Sequence, residues 1–358
     1  MSTSKATASG TPGRTLRSPA QLAAQGWVDA AALPALEAVA ARFAVAVTPA
    51  MLDQMEAASD PVGLQFIPDA RELRLAPEER SDPVGDDAYS PLPGLVHRYP
   101  DRVLLKPLHA CPVYCRFCFR REVVGPGGAA LDAGSLARAI DWVRARPEIW
   151  EVIVTGGDPF ALSADRIAAL MDALDAIPHV QVVRWHTRVP VVEPRRVTPA
   201  LVAALRRPTP AWVVLHCNSH LELSPAAREA IGALVDAGVP MLSQSVLLRG
   251  VNDAPEQLEA LLRALVRLRV KPYYLHHGDL VPGTAHLRAE LEAGRALVDG
   301  LRGRVSGLCQ PSYVLDIPGG YGKVPAGPAW VQPAAEGWAV RDPWGGAHRY
   351  PPEPKAEG

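Results

Sequence analysis

Seven short runs rich in β-branched and aromatic residues recur between Val103 and Leu315. After the first they begin about 30 residues apart, the length of one βα unit. The runs are 103–105, 151–155, 180–185, 212–216, 241–246, 272–275 and 312–315. The stretches between them carry helix signals. Ile167, Leu170, Met171 and Leu174 stand at i, i+3, i+4 and i+7. Ser224 is placed as an N-cap ahead of Pro225, and Gly238 stands past the end of that helix. Strands joined by such crossovers lie parallel, in an open doubly wound sheet or a barrel. Six regular units favour a partial (βα)6-type TIM barrel in the α/β class.

That barrel is expected over 99–310. Residues 1–20 hold no hydrophobic core and read as a flexible tail rather than a secretory signal. Residues 21–98 form a helical and irregular N-terminal segment, with a helix expected over 27–57 and a connector over 59–99. A short C-terminal segment, 311–358, closes the chain. The 37 Lys+Arg against 38 Asp+Glu argue against nucleic-acid or polyanion binding, and 48% hydrophobic residues exclude disorder as the main state. No apolar run approaches the roughly 18 residues of a membrane span. A cytoplasmic protein is expected.

The unusual residues gather just after the strands. Cys111, Cys115 and Cys118 follow the first run, Gly156-Gly157-Asp158-Pro159 the second and His186-Thr187-Arg188 the third. Cys217-Asn218 follow the fourth, Gln244-Ser245 lie in the fifth, and His276-His277-Gly278-Asp279 end the sixth. Active sites of βα barrels are built at those strand ends. His186, Arg188, His216 and His220 are expected to line the site. Cys217 and Cys309 read as buried thiols.

Three thiolates on the tight loop Cys111 to Cys118 can hold three corners of a cubane cluster and leave one iron open. A structural zinc with His109 as fourth ligand is the alternative, although zinc motifs usually come as two separated pairs. Further on stands Pro318-Gly-Gly-Tyr-Gly-Lys323, where glycines let the backbone bend so that one amine reaches a pocket. Such an amine can bind a carbonyl cofactor.

The Cys-x3-Cys-x2-Cys spacing with Phe117 before the last cysteine resembles radical S-adenosylmethionine enzymes, and Gly156-Gly157-Asp158-Pro159 is similar to their GGEP-type motif. Pro318 to Lys323 resembles the PGGGGK stretch of the lysine 2,3-aminomutase group, with Tyr321 in place of one glycine. The resemblance runs from about Pro93 to Tyr350 and includes His97 to Arg102, Cys115 to Arg121 and Gln244 to Asp253. It implies the radical S-adenosylmethionine kind of partial barrel, carrying a 4Fe-4S cluster on Cys111, Cys115 and Cys118. S-adenosylmethionine is expected at Gly156, Gly157 and Asp158, and pyridoxal 5'-phosphate on Lys323 with Tyr99, Arg98 and Arg102. Gln244 and Ser245 are implied to lie near the cofactors.

By the same resemblance Arg120 clamps a substrate carboxylate, and Asp279 with Asp316 hold a side-chain ammonium. The implied activity moves the 2-amino group of L-lysine to C3. A related aminomutase for arginine or glutamate, or one serving elongation factor P modification, is the alternative. A non-enzymatic zinc-binding protein is the reading from another class. The implied partners are an amino acid substrate, an electron donor such as flavodoxin or ferredoxin, and a second copy in a homo-oligomer. Long members of the group carry a zinc-binding assembly segment beyond the lysine motif. No cysteine lies beyond Cys309 here, so that zinc site is not expected.

Overall fold

The computed structural model describes residues 13–125, 128, 130–335 and 337–350. Its main body is a nine-stranded sheet in sequential order. The strands are β1 (Leu95–Tyr99), β2 (Arg102–Leu108), β3 (Glu151–Gly156), β4 (Val182–Thr187), β5 (Ala211–His216), β6 (Met241–Val246), β7 (Lys271–His276), β8 (Ser312–Asp316) and β9 (Lys323–Pro325). Neighbours from β2 to β8 are parallel, and β1 and β9 are antiparallel additions at the two edges.

Each parallel step is made by a crossover with a helix: Ala133–Arg144, Ala164–Asp175, Pro199–Leu205, Pro225–Asp236, Pro255–Arg267 and Leu291–Asp299. This is the expected curled (βα)6 half barrel. Local chemistry explains the helix ends. Ser224 accepts a hydrogen bond from the Ala227 N–H, and Gly238 takes φ +82°, which a side chain would resist. The helices cover one face of the sheet with apolar side chains. Trp185, wholly buried, packs against Phe160 beside Ile167, Leu170 and Met171. The other face is partly polar. On β2, the partly buried Arg102, Leu104 and Lys106 alternate with the buried Val103, Leu105 and Pro107, so the three face inward together.

Three expectations are corrected. The flexible tail expected over 1–20 does not include its last residues: Leu16 is buried and bridges Val47, and Pro19–Ala24 is a helix capped by Ser18. Residues 1–12 lie outside the described residues. The helix over 27–57 is really Leu33–Arg42, followed by extended chain and the short Pro49–Leu52. Pro49 holds Thr48 extended (φ −76°, ψ 157°), and the apolar run before it pairs rather than coils. The sheet also runs past both expected barrel limits, because β1 begins at Leu95 while β8 and β9 lie beyond residue 310. What remains beyond it is a small antiparallel sheet of Val331–Pro333, Trp338–Arg341 and Ala347–Tyr350. Arg341 pins this sheet to Asp299 through two hydrogen bonds of 2.8 and 2.7 Å.

Candidate active site

The cysteine loop leaves the end of β2 and is clamped from outside by the N-terminal segment. Tyr114 N–H donates to Ala46 O (3.2 Å) and Arg116 N–H to Gln65 O (2.8 Å). The Arg116 guanidinium donates to Ala44 O (2.7 Å) and, with Arg121, to the wholly buried carboxylate of Glu72. Burial alone would raise the Glu72 carboxyl, but Arg116 and Arg121 hold it below the usual range.

The three thiols sit in low-dielectric surroundings. Burial, then Cys115, pushes Cys118 up to about 11, and burial also raises Cys111 and Cys115. Iron ligation supplies the positive charge that ionises such thiols. Arg188 adds a fixed partner by donating to Cys115 Sγ at 2.8 Å, while its other amino group binds Gln65 Oε1 and Glu222 Oε2. The residues therefore fit a cluster. Among the described residues no group of three His, Cys, Asp or Glu is gathered to hold a single metal ion. A cubane takes each thiolate on a different iron and does not require that convergence.

Gly156 and Gly157 let β3 approach this loop. A Cβ on Gly156 would lie 2.5 Å from Leu108 O, and one on Gly157 would lie 2.2 Å from Ala110 O. Asp158 turns its carboxylate away to the next strand end. It accepts from Thr187 Oγ1 (2.6 Å), Arg188 N–H (2.7 Å) and Val189 N–H (3.1 Å). The motif thereby ties three consecutive strand ends together, and its aspartate side chain is already committed to protein partners.

Lys323 opens β9 at the end of a glycine turn. Gly319, Gly320 and Gly322 take φ values of +92°, +87° and +97°, and Ile317 N–H closes the turn on Gly322 O at 2.9 Å. The Lys323 N–H donates to Tyr99 Oη at 2.9 Å, and the Arg102 guanidinium lies 3.9 Å over the Tyr99 ring. The Lys323 ammonium donates to Asp316, lies 3.3 Å from His276 Nδ1 and is 5.8 Å from the Tyr274 ring centroid. Burial would raise Asp316, but His276 and Lys323 hold it at about 2. Burial, reinforced by Asp316, pushes Asp279 up to about 7. Lysine, tyrosine, arginine and two aspartates thus form one partly buried group whose amine, aromatic rings and guanidinium suit a pyridoxal phosphate.

Arg120 stands at a second charge cluster. Its Nη2 donates to Asp86 Oδ2 (2.9 Å) and its Nη1 reaches Thr155 Oγ1 at 3.4 Å, while its buried Nε has no partner. Between the two clusters the inner face carries His186 and His216, each with a buried Nε2 lacking a partner, and Gln244, paired in register with His216. Unpaired buried polar atoms of this kind fit a site made for a polar ligand.

Some expectations need correction. Arg98 does not join Tyr99 and Arg102. It donates to Val84 O (2.6 Å) and to Asp86 Oδ1 (3.3 Å), because alternation along β1 sends it to the Arg120 cluster. Ser245 is spent on the Cys217 carbonyl at 2.5 Å, bracing β6 against β5. His220 starts the turn His220–Glu222, away from the inner face, where burial and then Arg228 lower its imidazole and its buried Nδ1 has no partner. Cys217 and Cys309 are buried, as expected. Asp86, Lys106, Tyr274 and the Arg188–Cys115 contact were not singled out by the sequence, since each depends on residues far apart in the chain.

A curled parallel sheet whose strand ends bring together a three-cysteine loop, a close-packed glycine turn and a lysine turn is the build of a cluster-dependent barrel enzyme. No family model matches the chain. It is 42% identical to the L-lysine 2,3-aminomutase of Clostridium subterminale and 41% identical to that of Acetoanaerobium sticklandii. Each comparison covers 80% of this chain and 70% of the relative. The glutamate 2,3-aminomutase of Clostridioides difficile is 33% identical, over 87% of this chain and 74% of that protein. The chain belongs to the lysine 2,3-aminomutase family of radical S-adenosylmethionine enzymes and is an isomerase. The cofactors of that family are a 4Fe-4S cluster, S-adenosylmethionine and pyridoxal 5'-phosphate.

Proposed function

We propose that this chain moves the α-amino group of L-lysine to C3, giving L-β-lysine. One observation carries the reading: the inner face holds an anionic group around Asp316 and Asp279 and a cationic group around Arg120, close enough for Arg120 to act on Asp279. The ammonium of Lys323 rests on Asp316, beside Asp279, as the ε-ammonium of a lysine substrate would. Arg120 keeps an unpaired Nε for a carboxylate. A buried ammonium is tolerable only when paired, and two carboxylates repel an acidic side chain, which favours lysine over glutamate. Arginine needs a deeper pocket for its greater length.

When bound, the cluster and S-adenosylmethionine supply a radical that takes hydrogen from the substrate β-carbon, and pyridoxal phosphate supplies the acceptor through which nitrogen migrates. Cys111, Cys115 and Cys118 would hold the cluster, Gly156 and Gly157 would admit S-adenosylmethionine beside it, and Lys323, Tyr99 and Arg102 would hold the pyridoxal phosphate. The chain's own task is orientation. Arg120 fixes one end of the substrate, Asp279 and Asp316 the other. The test is an anaerobic assay of the reconstituted enzyme over lysine, arginine and glutamate, with Asp316→Asn beside wild type. Lysine should be preferred, and the variant should lose at least about tenfold in kcat/KM, equivalent to roughly 1.4 kcal/mol. A wild-type preference for glutamate would refute the assignment of the two ends. An electron donor of the flavodoxin or ferredoxin type completes the proposal. Among the described residues no helix is long and apolar enough to cross a membrane.

A further inference from the structure

The loop Asp82 to Tyr89 delivers one carboxylate into a group of three cations. Asp86 Oδ2 lies 2.9 Å from Arg120 Nη2 and 3.8 Å from Lys106 Nζ, and Asp86 Oδ1 lies 3.3 Å from Arg98 Nη2. All four side chains are largely buried, at 10–14% exposure. We infer that the substrate carboxylate is received by this cluster as a unit, in which Asp86 positions Arg120 and Lys106 is a second cation.

Asp86 is held firmly enough for that task. Its N–H and that of Asp87 both donate to the Asp82 carboxylate at 2.9 Å. Gly85, at φ +68°, lies against the lysine turn so closely that a Cβ would come within 2.5 Å of Gly320 N. One amino group of Arg120 is therefore fixed by Asp86, while its buried Nε stays without a partner. An arginine with one donor tethered and another free is oriented for a carboxylate at the free position, and orientation is what a guanidinium fork requires.

Lys106 shares the inward face of β2 with Arg102. Its ammonium lies beyond hydrogen-bond distance of Asp86, yet it approaches the same oxygen that Arg120 holds. Asp82 and Asp87 also act on Lys106, so the cluster is not short of charge; what it lacks is a partner for the buried Arg120 Nε, and a substrate carboxylate supplies one. Asp86 does not supply it, because its two oxygens are already shared among the three.

The inference rests on Arg120 being the carboxylate clamp, and the experiment separates the two. Lysine and 1,5-diaminopentane, which lacks the carboxylate, are compared on the reconstituted holoenzyme, as KM for the first and competitive Ki for the second. Asp86→Asn and Lys106→Met should each raise the lysine KM at least tenfold while changing kcat less. The diaminopentane Ki and the iron content should not move, and Asp86→Glu should recover most of the loss. If Asp86→Asn lowers the lysine KM, Asp86 competes for the seat and the inference is overturned. Equal weakening of both ligands overturns it too, as does an unchanged KM in Lys106→Met, a variant that removes no hydrogen bond. Arg120→Gln is the reference: if it leaves the preference for lysine over diaminopentane intact, the carboxylate site itself has been misplaced.

Discussion

Glu72→Gln is the sharpest test of how the N-terminal segment serves the site. The substitution keeps the shape of the side chain and removes its charge. Glu72 is wholly buried, and the side chains of Arg116 and Arg121 that converge on it are 2% and 4% exposed. The glutamine would leave two guanidinium ions without a counterion in low dielectric. Breaking a buried pair in this way costs about 3–5 kcal/mol. For a chain of this length about 1.3 °C of Tm accompanies each kcal/mol, so the midpoint should fall by roughly 4–7 °C. Anaerobic thermal and urea unfolding would measure it. Glu193→Gln is the control, since the Glu193–Arg196 pair is 3.6 Å apart and 37% exposed on both sides; its effect should stay under about 1 kcal/mol. Arg116 also braces Ala44, and Arg121 lies 3.7 Å over the Phe43 ring, so the cover of the cysteine loop should loosen along with it. The reconstituted variant should lose iron faster in air. A Glu72→Gln protein as stable as the control would show that the network does not hold the segment in place.

Other outcomes follow from the same geometry. Cys111→Ala, Cys115→Ala and Cys118→Ala should each lose iron and activity, whereas Cys217→Ala and Cys309→Ala should keep the iron; retention in any of the first three breaks the cluster assignment. Lys323→Ala should abolish the borohydride-trapped pyridoxyl adduct without changing iron content, and peptide mapping of the adduct to Lys271 would contradict the assignment. Asp279 receives an ammonium only when ionised, and its carboxyl stands near 7. The kcat/KM for lysine should therefore climb as pH rises through about 7 and level off above it, and Asp279→Asn should flatten that limb.

The strands, the cysteine loop and the lysine turn could be read from sequence because each is written locally, in a run of β-branched residues or a short spacing. The strand Leu95–Tyr99 escaped notice: its second half, His97-Arg98-Tyr99, is polar, and it pairs antiparallel at an edge outside the repeating pattern. The helix expected through residue 57 stopped at Arg42, because a single β-bridge to Leu16 and the demands of Pro49 outweighed helical spacing. The hub around Asp86 had no local signature. Its members come from an irregular loop, from two strands and from the cysteine loop, and only folding brings their charges together. The same holds for Arg188 and Cys115, which are 73 residues apart. Long-range charge pairing is therefore the layer of this site that motif reading passes over.

The strand that carries Lys323 has a second consequence. An open sheet presents two unpaired rims, each a template on which other chains can stack. β9 is three residues long, begins with a charged side chain and ends at Pro325, which has no N–H to offer a newcomer. Beneath it β8 runs through Tyr313 and Val314, both buried. A chain cut before β9 would lose Lys323 and uncover the edge of β8 at Tyr313 and Val314 in the same stroke, so the strand that carries the amine proposed to hold pyridoxal phosphate also closes the sheet against stacking.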